Sequence, residues 1–214
     1  MFEPNAHRCE PQRAASPWIV RWLDRLPRGA AVLDFAAGSG RHACAAAERG
    51  LDVLAVDRDG EALARVGEGA AGATPADESR DGAPSSREGR IALRVADLES
   101  GRWPNAAHER FDAVVVANYL FRPRFALLAS LVAPGGLLVY ETFAQGNERY
   151  GRPSNPAFLL APGELLVRAQ RAGLTVLEYA TGTVQRPSPA VIQHVCARRA
   201  PGAAGCDGPL APLG

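Results

Sequence analysis

Short apolar runs alternate with Ala-rich or amphipathic stretches along most of the chain. Apolar runs of four to eight residues bounded by turn residues are typical of strands buried on both faces of a parallel sheet. These runs predict strands over residues 30–35, 51–57, 90–97, 111–118 and 137–142. Two later segments, 174–180 and 190–198, predict a terminal antiparallel pair.

Helical patterns separate the predicted strands. Trp18, Trp22 and Leu26 are spaced by four residues, and an Ala-rich stretch stops at Gly50, both of which indicate helices. The predicted helices cover residues 18–26, 41–49, 59–66, 125–132 and 162–172. Alternating strands and helices predict an α/β fold with a doubly wound, Rossmann-like sheet, mostly parallel with an antiparallel C-terminal strand.

The domain organisation follows from length and local composition. A chain of 214 residues predicts one domain, here over residues 17–199. Residues 1–16 form a polar start, and residues 200–214 form a tail rich in Gly, Pro and Ala, so we expect a flexible N-terminus and a disordered tail. Residues 67–89 are rich in Gly, Ala, Pro, Ser and charge without apolar periodicity, which predicts a flexible insertion.

Composition excludes several classes of protein. With 24 basic and 23 acidic side chains the net charge is +1, which excludes a strongly basic nucleic-acid binder. The sequence contains no Lys, so no mechanism can use a Schiff base. Cys9, Cys44, Cys196 and Cys206 match no zinc-binding spacing, and we expect reduced thiols and no metal. With neither a signal-peptide core nor an apolar run long enough for a membrane, the expected location is the cytoplasm.

Candidate chemistry begins directly after the first predicted strand, at the edge where α/β sheets bind ligands. Asp34 ends that strand, and the turn that follows contains Gly38 and Gly40, which let the backbone approach a ligand closely. A carboxylate before this turn favours a cationic amino-acid cofactor over a pyrophosphate. The turn therefore predicts a cofactor site.

Acids also end the next two predicted strands. Asp57 can accept hydrogen bonds from both hydroxyls of a ribose. Asp97, beside Leu98, can accept a hydrogen bond from an adenine amino group. Each feature alone is weak, but their order on one predicted sheet favours a nucleoside-containing cofactor.

These motifs resemble those of class I S-adenosylmethionine-dependent methyltransferases. The resemblance covers about residues 17–199 and rests on segments 32–40, 56–57, 96–98, 111–118 and 131–136. Ala36 stands where the family's first motif has a Gly. The 16–17 start and residues 40–42 are similar to small bacterial methyltransferases associated with tellurite resistance, and segment 140–156 is similar to an uncharacterised bacterial subgroup.

The resemblance implies S-adenosylmethionine as cofactor and a role for each matching residue. The methionine part would bind Asp34 and the turn from Ala36 to Gly40, and the ribose would bind Asp57. Asn118 and Tyr119 would lie nearest the sulfonium and the acceptor. The implied cofactor-binding residues are Asp34, Ala36, Gly38, Ser39, Gly40, Asp57, Arg58, Asp97, Leu98 and Asn118.

Fewer signals concern the methyl acceptor. The predicted catalytic residues are Asn118, Tyr119 and Glu141, of which Glu141 could instead pair with an Arg. Residues 144–160 form a long polar loop of the kind that often serves as a lid. The candidate acceptor-binding residues are His42, Arg122, Asn147, Arg149 and Tyr150. The alternatives are a structural contact to backbone for His42 and a solvated loop for the Arg residues.

The sequence favours a methyltransferase that acts on a small molecule, without identifying the acceptor or the oligomeric state. Neither a membrane nor a nucleic acid is expected as partner. Gly38, Gly40 and Ala43 also fit a relaxed dinucleotide fingerprint, so an NAD(P)-binding oxidoreductase is the alternative. A non-catalytic cofactor-binding module and a methyltransferase for RNA or protein also stay open.

Overall fold

The chain folds into two compact units, which are described in turn. The coordinates are a computed structural model that describes residues 14–69, 74–75, 89–100, 109–185 and 188–202. The first unit comprises residues 1–106 and 115–117, and the second comprises residues 107–114 and 118–214.

The first unit is built from parallel strands with intervening helices. Its strands are hydrogen-bonded in the order β3-β4-β2-β1, and every neighbouring pair is parallel. Its elements are α1 (Pro17–Leu23), β1 (Ala31–Phe35), α2 (Arg41–Ala47), β2 (Asp52–Asp57), α3 (Gly60–Gly69), β3 (Thr74–Pro75) and β4 (Ile91–Val95). Val32, Leu33, Val53 and Ala55 are all at most 3% exposed, as expected of strands covered on both faces.

The second unit contains the antiparallel strands. Its hydrogen-bonded order is β5-β6-β8-β7, in which β8 runs antiparallel to both neighbours. Single 3-10 turns lie at Arg122–Arg124, Asn147–Arg149 and Pro156–Phe158. Its other elements are α4 (Phe125–Ser130), β6 (Val132–Phe143), α5 (Glu164–Arg171), β7 (Leu174–Val184) and β8 (Ala190–Arg199). Strand β5 (Phe111–Ala117) belongs to this unit over residues 111–114 and to the first unit over residues 115–117.

The predicted fold class is confirmed. The chain has an α/β fold with a doubly wound, Rossmann-like sheet that is mostly parallel and ends in antiparallel strands. The largest boundary error concerns β6, which begins at Val132 although the strand was predicted to begin at residue 137. Gly135 adopts a φ of +80°, a conformation that glycine tolerates at no steric cost.

The predicted insertion over residues 67–89 contains regular structure at two places. Helix α3 extends to Gly69, and Thr74–Pro75 pair in parallel with β4. A two-residue pairing uses backbone groups alone, so apolar periodicity could not reveal it. The rest of the insertion up to residue 88, like residues 1–13 and 203–214 of the two predicted flexible termini, lies outside the described residues.

The expectation of reduced thiols is wrong for Cys44. This residue is disulfide-bonded, whereas Cys196 is fully buried and is not part of a disulfide. The spacing of cysteines along the sequence reports only local motifs, and a disulfide depends on distance in the folded chain. Within the described residues, no helix is long and apolar enough to cross a membrane.

Candidate functional site

The glycine turn after β1 is held in a tight left-handed conformation. Ala36, Gly38 and Gly40 have φ angles of +60°, +55° and +73°. The amide of Ala37 donates to the carbonyl of Val56 at 3.0 Å, and the amide of Gly40 donates to Ala37 at 2.9 Å. The chain thus leaves β1 and enters α2 with its backbone, rather than its side chains, lining the turn.

Ala36 carries the strain of this conformation, because a Cβ disfavours positive φ. We expect Ala36→Gly to raise the free energy of unfolding by about 0.5–1 kcal/mol, since relief of strain outweighs the added freedom of the unfolded chain. The matched control is Ala37→Gly, at a buried position without positive φ, which should lower stability by a similar amount. Denaturant unfolding measures both, and equal losses would show that Ala36 is unstrained.

Asp57 connects the glycine turn to the end of β2. Its Oδ2 accepts a hydrogen bond from the amide of Gly38 at 2.7 Å, and its Oδ1 accepts one from the amide of Asp59 at 3.0 Å. A carboxylate oxygen can accept more than one hydrogen bond. Asp57 can therefore hold the turn in place and still accept hydrogen bonds from a ligand hydroxyl.

Asp34 is a buried carboxyl behind the same turn. It is 2% exposed, and its Oδ2 accepts a hydrogen bond from the amide of Ala43 at 2.9 Å. Burial raises the pKa of Asp34 to about 7, although the Ala43 hydrogen bond and the charge of Arg41 oppose the rise. A cationic ligand group beside Asp34 would stabilise its charged form.

We expect Asp34→Asn to stabilise the protein more at pH 8 than at pH 5, by about 2 kcal/mol. The pKa of Asp34 rises from 3.8 to about 7 on folding, so its contribution to stability falls as pH increases between these values. His42 acts with the opposite sign, because its pKa falls from 6.5 to about 3 and stability is lost as pH decreases below 6.5.

In the wild type, the pH-dependent contributions of Asp34 and His42 to the free energy of unfolding offset each other over much of the range between about pH 4 and 6.5. The difference in unfolding free energy between Asp34→Asn and wild type, measured by urea denaturation at each pH, isolates the carboxyl. A difference that is the same at both pH values would contradict a raised pKa for Asp34.

The other predicted adenosine-binding residues lie at the same edge of the first unit. Asp57 pairs with Val95 in the β2–β4 register, which places Asp97 two residues beyond that pair. Asp97 is exposed and its Oδ1 accepts from the amide of Glu99 at 3.0 Å, while Leu98 is buried. Arg58 and Ser39 are exposed.

His42 has the backbone contact that was the alternative to a role in binding the acceptor. It is 3% exposed, and its Nε2 accepts a hydrogen bond from the amide of Ser16 at 3.1 Å. Burial and the charge of Arg41 lower its pKa to about 3, so the ring is neutral at physiological pH. His42 therefore attaches the start of α1 to the first turn of α2.

In the second unit, the residues after β5 are bonded to β6. Asn118 has a φ of +56°, which Asn tolerates better than most residues, and its amide donates to the carbonyl of Glu141 at 2.9 Å. The carbonyl of Tyr119 accepts from the Tyr140 hydroxyl at 2.7 Å. All three predicted catalytic residues thus lie at one end of β5 and β6.

Glu141 lies near His194, a residue of β8. Its side chain is 12% exposed, and its Oε2 lies 4.0 Å from Nδ1 of His194. The other ring nitrogen of His194, Nε2, lies 4.0 Å from Oε1 of Glu178. Only the register of β6 with β8 reveals this group, because His194 is far from Glu141 in the sequence.

Two of the predicted acceptor-binding residues hold the loop after β6 in place: Asn147 from within the loop and Arg122 from the turn after β5. Asn147 is 1% exposed, donates to the carbonyl of Pro153 at 3.0 Å and accepts from the amide of Val191 at 3.1 Å. Arg122 forms a two-pronged pair with Glu164, at 2.7 Å and 2.9 Å, and also donates to the carbonyls of Ala157 and Leu159.

The remaining predicted contacts are exposed. Arg149 donates to the carbonyl of Gly146 and lies over the ring of Tyr150, which is 46% exposed. Among the described residues, no group of three His, Cys, Asp or Glu side chains is arranged to hold a metal ion. Because Arg149 and Tyr150 are exposed, a ligand can reach them from solvent. The side chains of Asn147 and Arg122 are instead already hydrogen-bonded to other parts of the protein.

Comparison with solved structures shows the fold that these elements form. The chain is similar to a SAM-dependent methyltransferase from Methanosarcina mazei, with a TM-score of 0.62 and 14% identity over 88% of this chain and 100% of the other. It is also similar to TehB from Haemophilus influenzae, with a TM-score of 0.61 and 17% identity over 87% of this chain and 63% of TehB. The [4+2]-cyclase SpnF matches with a TM-score of 0.61 and 14% identity, over 90% of this chain and 85% of SpnF.

The chain therefore has the class I S-adenosylmethionine-dependent methyltransferase fold, as the sequence motifs predicted. No family model and no curated protein matches the sequence. At these identities the comparisons establish the fold, and the activity has to be argued from the residues themselves.

Proposed function

We propose that the chain is an S-adenosylmethionine-dependent methyltransferase that acts on a small molecule. The observation that carries the proposal is the turn after β1, where the Asp57 carboxylate holds Gly38 and the buried Asp34 lies behind the same backbone. This arrangement offers carboxylates to ribose hydroxyls and to an ammonium group. Similar proteins support it, since ChlM from Synechocystis was solved with bound SAH and with bound SAM.

In this proposal each part of the cofactor has a binding group in the first unit. Asp34 and the backbone of the turn bind the methionine part, Asp57 binds the ribose, and Asp97, Leu98 and Arg58 bind the adenine. When bound, S-adenosylmethionine supplies an activated methyl group on a sulfonium, and its leaving group is a neutral sulfide. The protein therefore has to bind, orient and exclude water rather than activate the donor.

The residues of the second unit are proposed to bind the acceptor. Asn118 and Tyr119 orient it, and Glu141 accepts a proton from an acceptor whose nucleophilic atom is protonated. Arg149 and Tyr150 are proposed to contact its remaining groups. The small-molecule acceptor is supported by the near balance of basic and acidic side chains, which leaves a net charge of only +1.

The oxidoreductase alternative is disfavoured by charge. A dinucleotide would place its pyrophosphate against the turn, and a carboxyl behind that turn would repel it. The fold alone does not fix the reaction, because SpnF is a [4+2]-cyclase with the same fold. A direct binding experiment is therefore needed.

Isothermal titration with S-adenosylmethionine, S-adenosylhomocysteine and NAD tests the proposal. We expect micromolar binding of both adenosyl ligands and no binding of NAD. NAD binding without adenosyl binding would replace the methyltransferase with an oxidoreductase. Failure of all three ligands to bind would overturn cofactor binding altogether.

A further inference from the structure

Three ionisable side chains lie in a row across the antiparallel strands of the second unit. Glu141 of β6 is the direct register partner of His194 of β8. Ala180 of β7 is the partner of His194 on the other side, and Glu178 lies two residues from Ala180. Because side chains alternate along a strand, Glu141, His194 and Glu178 share one face of the sheet.

The imidazole of His194 has a carboxylate at each nitrogen. Nδ1 lies 4.0 Å from Glu141 Oε2, and Nε2 lies 4.0 Å from Glu178 Oε1. A neutral imidazole carries one N–H and an imidazolium carries two, so the ring can take up a proton at one nitrogen and release it from the other.

Exposure increases along the row. The side chains of Glu141, His194 and Glu178 are 12%, 17% and 33% exposed. A proton that enters at Glu141 therefore reaches water most readily through Glu178. The inner end of the row is also the functional end, since the backbone of Glu141 accepts a hydrogen bond from Asn118, the strained residue after β5.

Two charged groups of the elements packed near β8, Glu164 and Arg149, are engaged elsewhere. Gln193 accepts from the amide of Leu165, so α5 covers the face opposite His194. Glu164 of α5 is bound by Arg122 and Arg168. Arg149, from the turn that contacts β8, donates to the carbonyl of Gly146. The two carboxylates are therefore the charged groups that face the ring from its neighbouring strands.

We propose that His194 and Glu178 position Glu141 and carry away the proton that it accepts. This inference rests on the proposed methyltransferase function. The acceptor atom loses its proton to the Glu141 carboxylate as it gains the methyl group, and the sulfonium becomes a neutral sulfide. Each nitrogen–oxygen gap is 4.0 Å, longer than a hydrogen bond, so the side chains have to approach by about 1 Å before the proton passes to His194. The opposite nitrogen of His194 then releases a proton to Glu178 and so to water, which restores the Glu141 carboxylate.

If Glu141, His194 and Glu178 act as this proton relay, a change at Glu178 alters the titration of Glu141, and the effect depends on His194. Carboxyl titrations are followed by ¹³C NMR in wild type, Glu178→Gln, His194→Gln and the double variant, with no acceptor present. We expect Glu178→Gln to move the Glu141 titration midpoint by about half a pH unit in wild type and by much less in the His194→Gln background. Equal shifts in both backgrounds, or no shift in wild type, would overturn the relay.

Two further measurements keep the outcome decisive. If His194→Gln does not fold, His194→Asn takes its place, and ¹⁵N titration of His194 itself in Glu141→Gln and Glu178→Gln must show a lower midpoint in both. Glu61→Gln, an exposed charge on α3, is the control for loss of a carboxylate elsewhere and should leave His194 unchanged. Isothermal titration of every variant with S-adenosylmethionine is independent of the relay, so its failure in wild type would count against the proposed function alone.

Discussion

Asp57→Asn is expected to lower the affinity for S-adenosylmethionine about 100-fold. The substitution keeps the size of the side chain but removes its negative charge. The Asp57 carboxylate accepts a hydrogen bond from the Gly38 amide and, in the proposed complex, from the ribose hydroxyls. Hydrogen bonds to a charged group contribute roughly 1.5–3 kcal/mol each, and about 3 kcal/mol corresponds to a 100-fold change in Kd. Isothermal titration measures the loss directly.

Asp52→Asn is the matched control, because Asp52 lies at the opposite end of the same strand. Its Oδ1 accepts from the amide of Arg90 at 3.2 Å, and the removed charge is the same. We expect its affinity to stay within about twofold of wild type. If folded Asp57→Asn binds as tightly as Asp52→Asn, then the carboxylate of Asp57 does not bind the cofactor.

Gly40→Ala is expected to lower the free energy of unfolding by about 3 kcal/mol. Gly40 has a φ of +73°, which costs an L-residue about 1–2 kcal/mol. A Cβ at this position would also overlap the side chain of Val66 of α3, and overpacking of this kind typically costs 1–3 kcal/mol. Denaturant unfolding, followed by circular dichroism, gives the total.

Gly29→Ala separates the two causes. Gly29 has nearly the same φ, +76°, but a Cβ there would meet no atom within 4 Å. Gly29→Ala should lower the free energy of unfolding by about 1–2 kcal/mol, the cost of the backbone conformation alone. A favourable coupling between Gly40→Ala and Val66→Ala would confirm the overlap, whereas equal losses at Gly29 and Gly40 would rule it out.

Local patterns predicted the parts of the molecule that depend on local physics. Strands β1, β2 and β5 were predicted to within one residue at each end, because buried parallel strands are continuous apolar runs and nearby turn residues bound them. The glycine turn after β1 was likewise visible, since positive φ selects glycine. The structure adds that Ala36, an exception to this preference, nevertheless adopts a φ of +60°.

Long-range pairing accounts for what the sequence could not reveal. Asn147 is buried because it bonds to Val191, 44 residues away, and Arg122 is engaged by Glu164, 42 residues away. Both were predicted to bind the acceptor because a polar side chain in a loop looks free until its partner is known. The row from Glu141 to Glu178 likewise needs the register of three strands.

The loop over residues 144–163 has bonds at several points, which bears on how an acceptor is chosen. Asn147 holds it to β8, Gln193 holds the carbonyl of Ala161 at 2.6 Å, and Arg122 holds the segment around Ala157. Opening this loop would break buried and charge-assisted bonds together, so we propose that it forms a fixed wall rather than a hinged cover. Selectivity would then come from preformed shape, association would need no gating step, and new acceptor preferences could evolve through outward side chains such as Tyr150 without loosening the wall.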